Sequence, residues 1–146
     1  KSSGKWYWEG VFVNGVSGFN TTSMGIVGDQ YVEDPNFTFR TGNSMIVYLA
    51  NGFLLYNGDT IGSQPIATTG SILQMFLDLD NKIFEYAIDG GARFTGATGS
   101  ILDAQGTSFK PVIMQRSIKD LEAKIIFESS DFSYPIPTGF TAFDGT

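Results

Sequence analysis

The chain has 146 residues, of which 42% are hydrophobic and only 16% charged, so it is sized for one domain with its own core and is too apolar for wholesale disorder. It has no cysteine and no histidine, which excludes a disulfide framework, a thiolate nucleophile, Ser-His-Asp or Cys-His catalysis and the common His- or Cys-ligated metals. A net charge of −6 repels phosphate backbones and argues against nucleic acid as a partner.

No apolar run reaches the roughly 18 residues a membrane helix needs, and no charged-then-apolar signal segment opens the chain. The first residue is Lys1 and not Met, so the expectation is a chain that is processed or cut from a longer one.

Taken in order, Trp6 to Val13 is aromatic and β-branched without helical spacing and predicts a strand. Ser23 to Gly28 predicts a second, short one. The stretch 29–43, with Pro35 and Gly42 and no period, predicts a long loop of the kind that often carries function. Met45 to Ala50 and Phe53 to Tyr56 flank Asn51-Gly52, the strongest two-residue hairpin signal, because a type I′ turn needs positive φ at both positions.

The clearest pattern is Ile72 to Ile88. Leu73, Met75, Leu77 and Leu79 alternate with Ile72, Gln74, Phe76 and Asp78, Asp80-Asn81 supplies a turn, and Phe84, Tyr86 and Ile88 resume the alternation. Asp89-Gly90-Gly91 closes this second hairpin, and a glycine- and threonine-rich loop is expected to follow, to about Gly106. Phe109 to Gln115 predicts a strand with Pro111 near its start. From 121 to 128 alternation and the Ile125-Ile126 pair favour a strand over a helix starting at Ser117. Pro135 and Pro137 mark an extended tail. About ten strands, no helix and closely spaced turns predict one all-β domain over residues 1–146, a two-sheet antiparallel β-sandwich.

Carboxylates are the chemistry that composition leaves open. Asp78 and Asp80 share one strand face, and Glu85 follows, but the order Asp-Leu-Asp-Asn-Lys-Ile-Phe-Glu lacks the Glu-x-Asp-x-x-Glu of sandwich glucanases. Their simpler reading is a hairpin end in which Asp and Asn cap the turn. No Asp-x-Asp-x-Asp-Gly loop supports calcium, Gly4-Lys5 lacks the context of a phosphate loop, and no metal or cofactor is expected. Asn20 and Asn36 head glycosylation triplets of the kind that recur by chance.

Trp6, Trp8, Phe12, Phe76 and Phe84 lie in strands and are expected in the core. Tyr31, Phe37 and Phe39 lie in the long loop, where aromatics offer contact area at low entropy cost. Arg40 and Arg116, two of only three arginines, fall in predicted loops; an arginine fork beside aromatics suits carboxylates, amides or sugar hydroxyls.

Six segments in register resemble SPRY domains: Gly4-Lys5-Trp6-Tyr7-Trp8-Glu9, Met24-Gly25-Ile26-Val27, Asn51-Gly52 through Tyr56-Asn57-Gly58, Leu77-Asp78-Leu79-Asp80-Asn81 with Phe84 and Asp89-Gly90, Lys110-Pro111-Val112, and Ile126-Phe127-Glu128 with Phe132 to Phe140. Arg40-Thr41-Gly42-Asn43 stands where that family carries a tryptophan-rich segment. The two ends of the chain also resemble SPRY-like segments of bacteriophage structural and tail proteins.

The resemblance implies a concanavalin-like sandwich and a non-catalytic recognition module. Its loops after the second strand and after the Lys110-Pro111-Val112 strand would build one binding end, from Asp29, Gln30, Tyr31, Phe37, Arg40, Gln115, Arg116 and Ser117. The expected partner is a protein or a cell-surface glycan, in a virion or extracellular setting, with self-association inside a larger assembly. The alternatives are a glycoside hydrolase or lyase on the same sandwich and a purely structural virion domain.

Overall fold

A computed structural model of the chain describes residues 1–14, 22–31, 45–49, 51–56, 59–114 and 122–144. Among them are eleven strands: β1 (Lys5–Asn14), β2 (Ser23–Gly28), β3 (Met45–Leu49), β4 (Phe53–Tyr56), β5 (Asp59–Ser63), β6 (Ile72–Asp78), β7 (Ile83–Ile88), β8 (Phe94–Thr98), β9 (Phe109–Met114), β10 (Glu122–Ile126) and β11 (Thr141–Ala142). One sheet has the order β10-β1-β6-β7-β8, with β11 beside β1; the other has the order β5-β4-β3-β2-β9. All pairings are antiparallel except the short parallel one between β11 and β1. The all-β sandwich expected from the periodicity is the observed fold. Among the described residues no helix is long and apolar enough to cross a membrane.

The alternation in the sequence fills the space between the sheets. Trp8 and Phe12 of β1, Leu73, Met75 and Leu77 of β6, and Phe84 and Tyr86 of β7 meet Met24, Ile26, Ile46, Tyr48 and Leu54 of the second sheet, all buried. Trp8 stacks on Phe84 at 5.9 Å, and Tyr86 stacks on Phe94 at 5.7 Å. Of the aromatics expected in the core, Trp6 alone stays half-exposed, at the rim.

Turns form where the sequence marks them. Gly52 adopts φ 91° between β3 and β4, and any Cβ there would lie 2.3 Å from the Gln64 carbonyl oxygen. The Asp78 carboxylate closes the β6–β7 turn by accepting bonds from the Asn81 main-chain N–H (2.9 Å) and Nδ2 (2.8 Å).

Several elements form where no element is expected, the two-residue β11 in the extended tail among them. β5 and β8 lie in stretches without a strand pattern, and a single helical turn, α1 (Gly99–Asp103), follows β8 inside the expected loop. Both strands are sheet edges, and both pair through a register shift. A segment without strand alternation can complete an edge ladder on hydrogen bonds to one neighbour, and β8 adds Phe94 and Ala97 to the core. The turn α1 serves to seat Leu102 in the core.

The outer face of the first sheet is covered by the chain itself. Residues 129–142 form a strap that lays Phe132, Ile136 and Phe140 over Tyr7, Phe76 and Ala87. Glu9, fully buried, accepts the main-chain N–H groups of Ser133 (2.8 Å) and Tyr134 (2.9 Å) and the Tyr7 hydroxyl (2.6 Å). The Arg93 guanidinium lies 3.9 Å from the centre of the Phe76 ring, at the strap's edge. Strand β6 is therefore buried on both faces although its sequence alternates.

Candidate recognition site

Three of the eight candidate binding residues lie within the described structure: Asp29, Gln30 and Tyr31, directly after β2. Phe37, Arg40, Gln115, Arg116 and Ser117 lie outside the described residues, as do Phe39, Asn20 and Asn36.

The three described residues form a tight turn fastened to the segment before β9. The Asp29 N–H donates to the Ser108 carbonyl (3.0 Å), the Gln30 N–H to the Gln105 carbonyl (3.2 Å) and the Tyr31 N–H to the Gly28 carbonyl (3.1 Å). The Asp29 carboxylate accepts the Thr107 N–H (2.8 Å), the Thr107 hydroxyl (2.9 Å) and the Ser108 hydroxyl (3.3 Å). Gly106, at φ 123°, makes room for it, since a Cβ there would collide with Asp29. Asp29 is exposed, yet its oxygens are occupied by the protein's own donors. Its role in this geometry is to position the turn.

These bonds, led by those from Thr107, hold the Asp29 carboxyl below its ordinary pKa. A carboxyl with a lowered folded pKa stabilises the bracket above the ordinary carboxylate range and loses that contribution as pH falls through the lowered value. The protection of the Thr107 amide against hydrogen exchange is expected to drop on acidification through that window in the native protein, and to be low at all pH values in Asp29→Ala. Protection that stays flat with pH would show that the carboxylate does not hold the turn.

Beside this bracket lies a depression of about 300 Å³ lined by Val27, Gly28, Asp29, Tyr31, Ser108 and Lys110. Tyr31, half-buried, packs toward the outer face of the second sheet with Val27, Val47, Phe53, Leu55, Val112 and Met114. Lys110 sits directly opposite Val27 in the β2–β9 register, and among the described residues no carboxylate pairs with it. The depression thus combines an apolar wall, a phenol and an ammonium group on a rigid sheet. Sequence reasoning missed Lys110 and Ser108 as site residues. The pairing of Val27 with Lys110 joins positions 83 apart in sequence, and no local pattern reports such a register.

The register also shows where the chain leaves the two strands that flank this depression. β2 and β9 run antiparallel, with Gly28 opposite Phe109 and Ser23 opposite Met114. The chain after β2 leaves from one end of this pair, and the chain after β9 leaves from the other, about 17 Å away at the rise of a strand. Antiparallel neighbours send their following segments in opposite directions, so Asp29, Gln30 and Tyr31 are not brought beside Met114.

The carboxylates considered for catalysis are each engaged separately. Asp78 pairs with Lys5 at 2.7 Å, Asp80 accepts the Gly4 N–H at 2.8 Å, and Glu85 pairs with Arg93 at 3.3 Å. Partial burial works to raise the Asp78 pKa, but Lys5 and the two Asn81 donors outweigh it and hold the group ionised below its ordinary value. Among the described residues no group of three acidic side chains is arranged to hold a metal ion.

Comparisons with known proteins bear on the fold. No protein-family model matches the chain, and no curated protein matches by sequence. Among solved structures, the chain superposes on the SPRY domain of human HERC1 with a TM-score of 0.71 and 24% identity, covering 86% of this chain and 76% of that one. The six segments that resemble SPRY domains thus sit in a molecule that shares the fold of one.

Proposed function

We propose that this domain is a non-catalytic recognition module for a protein partner, and that it binds through the depression formed by Tyr31, Val27 and Lys110. The observation that carries the reading is a half-exposed tyrosine held on the sheet by the Asp29 bracket, beside the exposed Lys110 in one depression. Aromatic anchors in pre-organised settings dominate recognition energies. SPRY domains, which the sequence resembles and whose fold this chain shares, are recognition modules, which supports the same reading. The separate engagement of Asp78, Asp80 and Glu85 disfavours the glycosidase alternative, which needs two carboxyl groups converging on a cleft. A glycan ligand is the second reading, because a tyrosine ring with neighbouring hydroxyl and ammonium groups also suits a sugar. The virion setting rests on the resemblance of the chain ends alone.

The test is selection from a displayed peptide library in parallel with an array of glycans and bacterial surface polysaccharides, using the native domain, Tyr31→Ala, Lys110→Glu and Arg116→Ala. Selected peptides are expected to lose at least about ten-fold in affinity in Tyr31→Ala and Lys110→Glu. Loss only in Arg116→Ala would move the site to the segment that follows β9 in the chain. Selective glycan binding without peptide binding would replace a protein partner by a carbohydrate. Silence in both arms, with self-association by light scattering, would favour a structural role.

A further inference from the structure

At the start of β1 an ammonium group already sits in an aromatic corner. The Lys1 Nζ lies 3.9 Å from the centre of the Trp6 ring and 5.3 Å from that of Phe143. The two rings stand nearly at right angles, 5.9 Å apart and inclined by 68°, so the cation meets two π-systems at once. Phe127 backs Phe143 at 6.0 Å, and Trp6, Phe127 and Phe143 are all only partly buried.

Both walls are fixed independently of the cation. The Trp6 Nε1–H donates to the Ser3 carbonyl at 2.6 Å, which sets the indole plane. The Phe143 N–H donates to the Tyr7 carbonyl at 2.9 Å, following the pairing of β11 with β1. The walls of the corner are therefore pre-organised, and only the Lys1 side chain has to leave for another positive group to enter. The net charge of −6 adds long-range attraction for a cation.

We propose that the Trp6–Phe143 corner is a binding seat for an alkylammonium group presented by a partner, and that Lys1 occupies it in the absence of that partner. The seat shares no residue with the Tyr31–Lys110 depression, although the Lys1 main chain bonds to Phe109, next to Lys110. Lysine side chains, methylated or not, and quaternary ammonium headgroups share the required chemistry, a compact positive charge with polarised C–H or N–H groups facing a ring.

The chain has only two tryptophans, and Trp8 is fully buried, so the two indole N–H resonances give a reporter and an internal reference. The experiment titrates the native domain, Lys1→Ala and Phe143→Leu with three probes: a short peptide carrying trimethyl-lysine, the same peptide with unmodified lysine, and phosphocholine. A neutral tert-butyl analogue of the trimethyl-lysine peptide serves as the shape control.

At least one ammonium probe is expected to shift the Trp6 resonance and leave that of Trp8 in place. Binding is expected to be about five-fold tighter in Lys1→Ala, the factor for removing one competing exposed cation–π contact. It should be lost in Phe143→Leu, which keeps an apolar side chain and so separates loss of the π face from loss of fold. Tightest binding by a peptide assigns the seat to a protein side chain, and tightest binding by phosphocholine assigns it to a headgroup. Equal binding of the neutral analogue, or no shift in Lys1→Ala, would overturn the proposal.

Discussion

Replacing Glu9 by glutamine is expected to destabilise the fold by about 3 kcal/mol and to loosen the strap over the first sheet. The carboxylate is fully buried and accepts three hydrogen bonds, two of them from consecutive main-chain N–H groups at Ser133 and Tyr134. Bonds to an ionised acceptor are worth roughly twice neutral ones in a low-dielectric setting. A glutamine keeps one oxygen, so one of the strap's N–H groups would face the amide NH₂, donor against donor.

The network does not end there. Gln74 donates from Nε2 to the Tyr7 hydroxyl at 3.1 Å and accepts the Gly90 N–H at 3.0 Å, so the strap, β1, β6 and the turn after β7 share one polar chain. Burial and the hydrogen bond to Glu9 push the Tyr7 phenol above its ordinary pKa, which keeps its proton available for donation. Urea unfolding of Glu9→Gln and hydrogen exchange at the Ser133 and Tyr134 amides measure the two effects. A stability change below about 1 kcal/mol, the net value of a single ordinary hydrogen bond, would mean that the strap is held by its aromatic residues alone.

Gly25→Ala is expected to be comparably severe, a loss of at least about 3 kcal/mol, at the upper end of the range for overpacking. A Cβ on Gly25 would lie 1.9 Å from the Ile46 carbonyl oxygen, 2.8 Å from the Val47 Cα and 2.8 Å from the Tyr86 hydroxyl. Two of these obstacles are main-chain atoms of the neighbouring strand β3, which cannot swing aside as a side chain can. The third is a buried hydroxyl within 3.3 Å of the Ile46 carbonyl and 3.4 Å of the Met24 carbonyl. Relief would require β2 and β3 to part at the centre of their sheet. Gly62→Ala on the edge strand β5 is the control, because a Cβ there meets only side-chain atoms, at 3.7 Å or more. Near-neutral Gly62→Ala with a large loss in Gly25→Ala is the expected pair of denaturation curves. Equal curves would show that the sheet absorbs the added carbon.

Neither residue announces its importance in the sequence. Glu9 reads as a polar position between Trp8 and Gly10, and the strap that buries it arrives from more than 120 residues away. Gly25 reads as one of 18 glycines.

What the sequence determined by itself was the local order of the molecule. Period-two alternation in Ile72 to Ile88, Asn51-Gly52 between two apolar runs and Asp80-Asn81 at the hairpin end place β3, β4, β6 and β7 closely, because strand and turn preferences act over two to ten residues. The expected core aromatics Trp8, Phe12 and Phe84 are buried between the sheets for the same reason.

The tertiary structure decided which faces are covered and which distant residues meet. It buried Phe76 and Asp78, on the face of β6 that alternation would leave to solvent, beneath the strap or against Lys5. It turned Asp29 from a candidate ligand contact into the bracket of its own turn, and it set Lys110 opposite Val27. It also set the last residues of β2 and β9 at opposite ends of their pair. Register, sheet order and the covering of an outer face depend on contacts between segments far apart in the chain. Their energies are summed only when the two sheets close on each other.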